Sequence, residues 1–187
     1  MHFTLHTVES APEAVQPDLK AARSAFGSIP NLYRGLANAP AALKVYLACN
    51  KALGECANLT PIEQQVVYLT VSTENACGYC VGAHSVLAGM AKMPDDILRQ
   101  LREQRPLSDP RLNALRNFAL AEMEHRGWVP EQTLNAFLEA GYDQRHILEV
   151  ITILAQKTLS NYYNHLAQTP LDDMFKSMEW APAGQTA

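Results

Sequence analysis

Along most of the chain apolar residues recur at intervals of three and four, and strand-like alternation is hard to find. That periodicity belongs to amphipathic helices, and it predicts an all-α protein with short connections. Pro17-Asp18 opens a short helix reaching Phe26, and Gly27-Ser28-Ile29-Pro30-Asn31 forms a turn after it, because glycine and proline break helical periodicity. A longer helix is predicted from about Pro40 to Leu53. In Leu59-Thr60-Pro61-Ile62-Glu63, Thr60 serves as N-cap, proline takes the first helical position and Glu63 completes a capping box, so a helix starts there and runs to about Ser72.

The next helix spans Cys77 to Met90, with Val81, Val86, Leu87 and Met90 as its apolar positions. Met93-Pro94-Asp95-Asp96, Ser108-Asp109-Pro110 and Val129-Pro130-Glu131 start three more, the last ending at Ala140-Gly141, where glycine suits a left-handed cap. Asp143 caps the longest helix, which carries Ile147, Val150, Ile151, Leu154, Leu159 and Tyr162 at core spacing until Thr169-Pro170 stops it. Pro94-Asp95-Asp96-Ile97-Leu98 echoes Pro130-Glu131-Gln132-Thr133-Leu134, but five residues do not establish a repeat.

With 187 residues and 48% hydrophobic content, the chain supplies one well-packed core. A single domain over 1–187 is expected, its core at about 26–175 and a disordered tail at 181–187. The net charge of −4 and the lack of any Lys/Arg run argue against nucleic acid or anionic lipid as a partner. The N-terminal residues show neither a basic nor an apolar leader, and no window approaches a spanning helix, so a soluble cytoplasmic protein is expected. In a reducing compartment four cysteines are not read as a disulfide framework. Cys49 and Cys56, seven residues apart, are expected to be small buried hydrophobes.

The chemistry concentrates in Cys77-Gly78-Tyr79-Cys80-Val81-Gly82-Ala83-His84, a CxxC followed by a histidine one helical turn on. Cysteine reacts as thiolate, and a helix N-terminus or a nearby cation lowers its pKa. With Cys77 at the N-cap and Cys80 in the first turn, the unpaired N–H groups favour an anion at either sulfur. Closing a disulfide over this spacing needs non-helical backbone at one end, which an N-cap cysteine before Gly78 provides. His84 lies four residues past Cys80 on the same face, close enough to exchange a proton with it. Spacing alone leaves open which cysteine attacks, since Cys77 is nearer the helix end and Cys80 nearer His84. Zinc would need a fourth ligand that the sequence does not offer, and c-type haem would need histidine where Val81 stands, so no metal or cofactor is expected. The plainest alternative is that both thiols only pack.

Residues 59–63 and 77–85 resemble the core of the AhpD-like alkylhydroperoxidase and carboxymuconolactone decarboxylase family. Gly27-Ser28-Ile29-Pro30-Asn31-Leu32-Tyr33, Asn161-Tyr162-Tyr163-Asn164-His165 and Thr169-Pro170-Leu171-Asp172 are similar to flanking signatures of its peroxidase-related branch. The resemblance implies an all-α AhpD-like fold assembling as a homo-oligomer, trimer or hexamer, with the CxxC at the start of a central helix. It implies a thiol-dependent hydroperoxide reductase in antioxidant defence, in which Cys80 attacks the peroxide, Cys77 resolves it and another dithiol regenerates the pair. The family's proton relay commonly includes a glutamate where this chain has Gln65, and some relatives carry histidine where Tyr79 stands. Glu63 reads better as a cap and Glu74 as a solvated helix end, though either could assist. His165, with Asn161 one turn before it, could line the pocket. His125 and His146, beside charged residues, are expected on solvated faces. A redox sensor of the same fold, or a lactone-acting decarboxylase of the kind that lacks the dithiol, are the alternative functions.

Overall fold

The computed structural model describes residues 3–182. Nine α-helices carry these residues: α1 (Gln16–Phe26), α2 (Asn31–Leu36), α3 (Pro40–Cys56), α4 (Pro61–Glu74), α5 (Gly78–Met90), α6 (Asp95–Arg102), α7 (Pro110–His125), α8 (Glu131–Glu139) and α9 (Gln144–Ala167). Short 3-10 turns at Glu13–Val15 and Asp173–Met178 precede and follow them. No strand occurs among the described residues, in keeping with the all-α reading.

α4 is the centre of the molecule because its second half is buried all round. Every side chain from Val66 to Thr73 is buried, and the helix packs on α5, α6, α7 and α9. Its hydroxyls remain satisfied in that setting by folding back on the preceding turn, Thr70 onto Val66 O, Ser72 onto Tyr68 O and Thr73 onto Leu69 O. The expected capping box at Thr60 forms. Glu63 accepts from the Thr60 N–H at 2.8 Å and from the Tyr142 hydroxyl at 3.0 Å, and it also pairs with Arg111. These contacts account for Glu63 as an anchor of the fold, away from the thiols.

Two apolar clusters flank α4. One joins α4, α6, α7, α8 and α9 through Leu69, Leu101, Phe118, Phe137 and Ile153. The other gathers Val15, Leu19, Leu36, Leu43 and Tyr46 from the first third of the chain around Cys77 and Cys80. The stretch after α9 crosses the start of α5 so closely that a Cβ on Gly78 would stand 2.8 Å from the Trp180 carbonyl oxygen. Arg102 holds this strap by donating to Met178 O and Glu179 O.

Several expectations need correction. The turn at 27–31 is shorter than expected: Gly27 adopts the left-handed cap (φ 76°), and Pro30 then caps the additional helix α2. α3 continues to Cys56, and Cys49 is half-buried and Cys56 exposed, because both fall to one side of the face that buries Leu43, Tyr46 and Leu53. Met90 is exposed at the end of α5. On α9, Val150 is buried as expected, but Ile151 and Tyr162 point outward with Leu148 and Leu166, forming an apolar stripe on the surface. His146 is buried rather than solvated, its ring closing a second capping box with Asp143. Within the expected tail, residues 183–187 lie outside the described part of the chain.

Candidate active site

The α4–α5 connection is built to present two thiols at a helix start. Ala76 takes a left-handed conformation (φ 52°), the Cys77 N–H bonds back to Ser72 O at 2.9 Å, and Cys77 becomes the N-cap of α5. Cys80 follows in the first turn, and both side chains are buried. Asn161, expected near the thiols, instead accepts from Asn75 Nδ2 at 2.9 Å and steadies this connection from α9.

The two thiols influence each other's ionisation, and their environments drive their pKa values apart. Burial opposes ionisation of Cys80. The hydrogen bond from Cys77, the charge and hydrogen bonding of Lys157, and the Asn164 amide together outweigh it, so the Cys80 pKa falls well below that of a free thiol. The opposite holds for Cys77, which donates to Cys80 and is buried beside its negative charge, and its pKa rises. Asn164 Nδ2 lies 3.2 Å from Cys80 Sγ and 3.9 Å from Cys77 Sγ, which aims it at Cys80. The Asn164 contact and the opposite directions of the two shifts favour the negative charge on Cys80, a distinction that spacing left open.

His84 does not hydrogen-bond to Cys80, contrary to the direct contact expected from their four-residue spacing. Its Nε2 stands 3.1 Å from Lys157 Nζ and its Nδ1 2.9 Å from Gln65 Oε1. An ammonium has no lone pair, so Nε2 must be the acceptor, and in the neutral ring Nδ1 then carries the proton that Gln65 accepts. Burial first, and the Lys157 charge second, hold the His84 pKa well below its usual value, so the ring is neutral. It stacks on Tyr68 at 4.3 Å between ring centroids. Gln65 therefore fits where a relay glutamate would not: a carboxylate there would draw a proton onto His84 and set an imidazolium against the ammonium.

Tyr79 donates to Asp172 Oδ2 at 2.6 Å and accepts from the Leu32 N–H at 3.2 Å, tying the strap to α2. Burial, then the Asp172 charge, raise its pKa, so it acts as a fixed donor and not as a base. Glu74 and His165 are exposed and make no hydrogen bond to the site. The structure thus gathers Cys77, Cys80, His84, Gln65 and Tyr79, leaves Glu74 and His165 outside, and gives Asn161 a supporting place.

Two cavities of ≈ 560 Å³ and ≈ 300 Å³ share Phe26, Tyr33, Tyr46, His84 and Leu87 as a common wall. Gln65 and Tyr68 line the larger, and Tyr79 and Phe175 the smaller. Neither thiol lines them, and His84, Tyr46 and Tyr79 are among the residues that do. Gln156 braces this wall by accepting from the Tyr68 hydroxyl at 2.7 Å and donating to Tyr46 O at 3.0 Å.

Sequence reasoning missed Lys157, Asn164 and Tyr68. A signal existed on α9, where Lys157, Asn161 and Asn164 continue the buried face begun by Val150 and Ile153. Polar residues on a buried stripe mark a hydrogen-bonded network or a site. Among the described residues, no three His, Cys, Asp or Glu side chains converge as metal ligands, and no helix is long and apolar enough to cross a membrane.

Comparison with known proteins places this arrangement. Residues 40–121 match the model of the carboxymuconolactone decarboxylase family. No curated protein matches the sequence. Among solved structures, an uncharacterized peroxidase-related protein with an alkylhydroperoxidase AhpD core from Ralstonia eutropha JMP134 superposes with a TM-score of 0.84 at 23% identity, covering 97% of each chain. A peroxidase-related protein from Silicibacter sp. TM1040 gives 0.78 at 18% identity, over 94% of this chain and 92% of that one. The debrominase Bmp8, solved with 2,3,4-tribromopyrrole, gives 0.77 at 12% identity over 95% of each. The chain has the all-α AhpD-like fold, and its residues 40–121 are similar to the carboxymuconolactone decarboxylase family.

Proposed function

We propose that the chain is a thiol-dependent reductase of organic hydroperoxides, in keeping with the peroxidase-related names of its structural neighbours. The observation that carries this reading is the asymmetry of the dithiol: the Asn164 amide lies 3.2 Å from Cys80 Sγ and 3.9 Å from Cys77 Sγ, and the surroundings lower the pKa of Cys80 while they raise that of Cys77. Attack by Cys80 on the peroxide gives a sulfenic acid and an alcohol. The Cys77 thiol then condenses with the sulfenic acid, forming the disulfide and releasing water, and an external dithiol restores both thiols. An antioxidant role is in keeping with that chemistry.

The test is steady-state consumption of cumene hydroperoxide in excess dithiothreitol. Many turnovers per chain are expected, with loss of two thiols when the reductant is withheld and no turnover for Cys80→Ser. Oxidation that stops after a single event would make the protein a sensor. Activity on a lactone that survives alkylation of both thiols would make it a decarboxylase.

A second reading draws on the ring-lined cavities, whose walls include Phe26, Tyr33, Tyr46 and Phe175. A halogenated aromatic could take the place of the peroxide, as in the debrominase. Two thiols would then replace carbon–halogen by carbon–hydrogen, yielding the disulfide and a hydrogen halide. Halide release from a bromopyrrole, with no peroxide turnover, would favour it.

A further inference from the structure

We propose that Lys157 is the ionic partner of the Cys80 thiolate and the donor of the proton that the leaving oxygen takes up; this rests on the peroxide reading. Lys157 is 1% exposed, at the centre of α9. An isolated buried ammonium is costly, so an anion should lie beside it. Among the described residues no carboxylate stands within ion-pair distance of its nitrogen. The groups around the Lys157–Cys80 pair are Cys77 at the N-cap of α5, His84 from α5, Tyr68 from α4, Tyr46 from α3 and Asn164 from α9, with Tyr79 engaged by Asp172. Only a cysteine thiolate can supply the charge, and Asn164 marks Cys80 as the sulfur that carries it.

The arrangement also solves the problem of the proton. As the Cys80 sulfur attacks the terminal oxygen of R–O–O–H, an S–O bond forms, the O–O bond breaks and the pair of electrons leaves on RO⁻. An alkoxide is a poor leaving group in an apolar pocket unless it is protonated as it departs. Lys157 Nζ–H supplies that proton, giving ROH, the Cys80 sulfenic acid and a neutral amine. His84 Nε2 accepts a hydrogen bond from Nζ in either charge state, so the ring keeps the amine in place. Cys77 then forms the disulfide with loss of water. Reduction by the external dithiol regenerates the Cys77 thiol and the Cys80 thiolate and releases the proton that restores the ammonium. The sum is ROOH plus dithiol giving ROH, water and the reductant's disulfide.

The experiment compares Lys157→Met and Lys157→Arg, with Lys157→Gln as a second neutral variant should the methionine form fold poorly. The first measurement, in a Cys77→Ser background without peroxide, is the rate of Cys80 alkylation by iodoacetamide against pH. Removing the charge is expected to slow alkylation at neutral pH about tenfold or more and to move its midpoint upward, whereas arginine preserves the parent profile. The second is single-turnover oxidation by cumene hydroperoxide and by peracetic acid, whose acetate leaving group needs no proton. Arginine keeps its charge but cannot release a proton at these pH values. Lys157→Arg should therefore lose at least about tenfold more rate with the alkyl hydroperoxide than with the peracid. An unchanged alkylation profile in both neutral variants, or equal losses with the two oxidants, overturns the proposal. Absence of peroxide reduction in the parent protein, with the alkylation shift present, defeats the peroxide reading and the proton-donor role while leaving Lys157 as the thiolate's partner.

Discussion

Replacing Gln65 by glutamate tests the reasoning about His84. In the parent protein Gln65 Oε1 accepts the Nδ1 proton at 2.9 Å, and burial with the Lys157 charge keeps the ring neutral. A carboxylate at that place puts a negative charge about 4 Å from the centre of the imidazolium, worth ~4 kcal/mol at an effective dielectric constant of about 20. That is roughly a thousandfold in the ratio of charged to neutral ring, and less in practice because position 65 is only half-buried. The stability consequence has a definite sign. In the parent, the unfolded chain takes up a proton on His84 below its usual pKa of about 6.5 while the folded chain does not, so this group's contribution is present above that pH and lost as pH falls, by about 1.4 kcal/mol per unit. Gln65→Glu lets the folded ring protonate too, and the acid-side slope should flatten by about one proton. Ring NMR shifts of His84 and urea midpoints from pH 5 to 8 read both effects. An ordinary His84 titration in the parent, or identical slopes in parent and variant, would refute the neutral-ring account.

Other expectations follow from single contacts. A Cβ on Gly35 would stand 1.7 Å from the Tyr163 hydroxyl, so Gly35→Ala should destabilise by about 1–3 kcal/mol in urea denaturation despite alanine's better helix propensity; unchanged stability would mean that α2 shifts freely. Asp172→Ala removes the acceptor of the Tyr79 hydroxyl and the Asn31 N–H, charged hydrogen bonds worth about 1.5–3 kcal/mol each, and should speed hydrogen exchange in 171–180. Exchange at the parent rate would show that Arg102 alone holds the strap. The expected trimer or hexamer needs an apolar face, and the outward stripe of α9 offers one; Tyr162→Glu with Leu166→Glu should reduce the sedimenting mass to that of a monomer, and an unchanged mass would locate the contact elsewhere.

The sequence carried the fold well because its helix signals are local. Thr60-Pro61 with Glu63, Asp109-Pro110 and Asp143 each satisfy the first N–H groups of a helix with their own side chains, whatever the rest of the chain does. The six-residue α2 was missed because its start rests on Pro30 without a side-chain cap and its stability comes from distant partners, Asp172 and Tyr79. The site divided in the same way. Cys77, Cys80, His84 and Gln65 were found because a compact motif and a family pattern place them. Lys157 and Asn164 were not, since they come from a helix some eighty residues away, one to His84 and the other to Cys80, and nothing local separates a buried lysine from a solvated one. The error over His84 had the same origin: one-turn spacing brings its ring near Cys80, but only the packed structure inserts Lys157 as its partner.

The central claim is that Cys80 attacks and Cys77 resolves. It is tested most directly by treating Cys77→Ser and Cys80→Ser proteins with cumene hydroperoxide in the presence of dimedone and locating the sulfenic acid adduct by peptide mass spectrometry. The account predicts an adduct on Cys80 in Cys77→Ser and none on Cys77 in Cys80→Ser. An adduct on Cys77, or none on either cysteine, would contradict it.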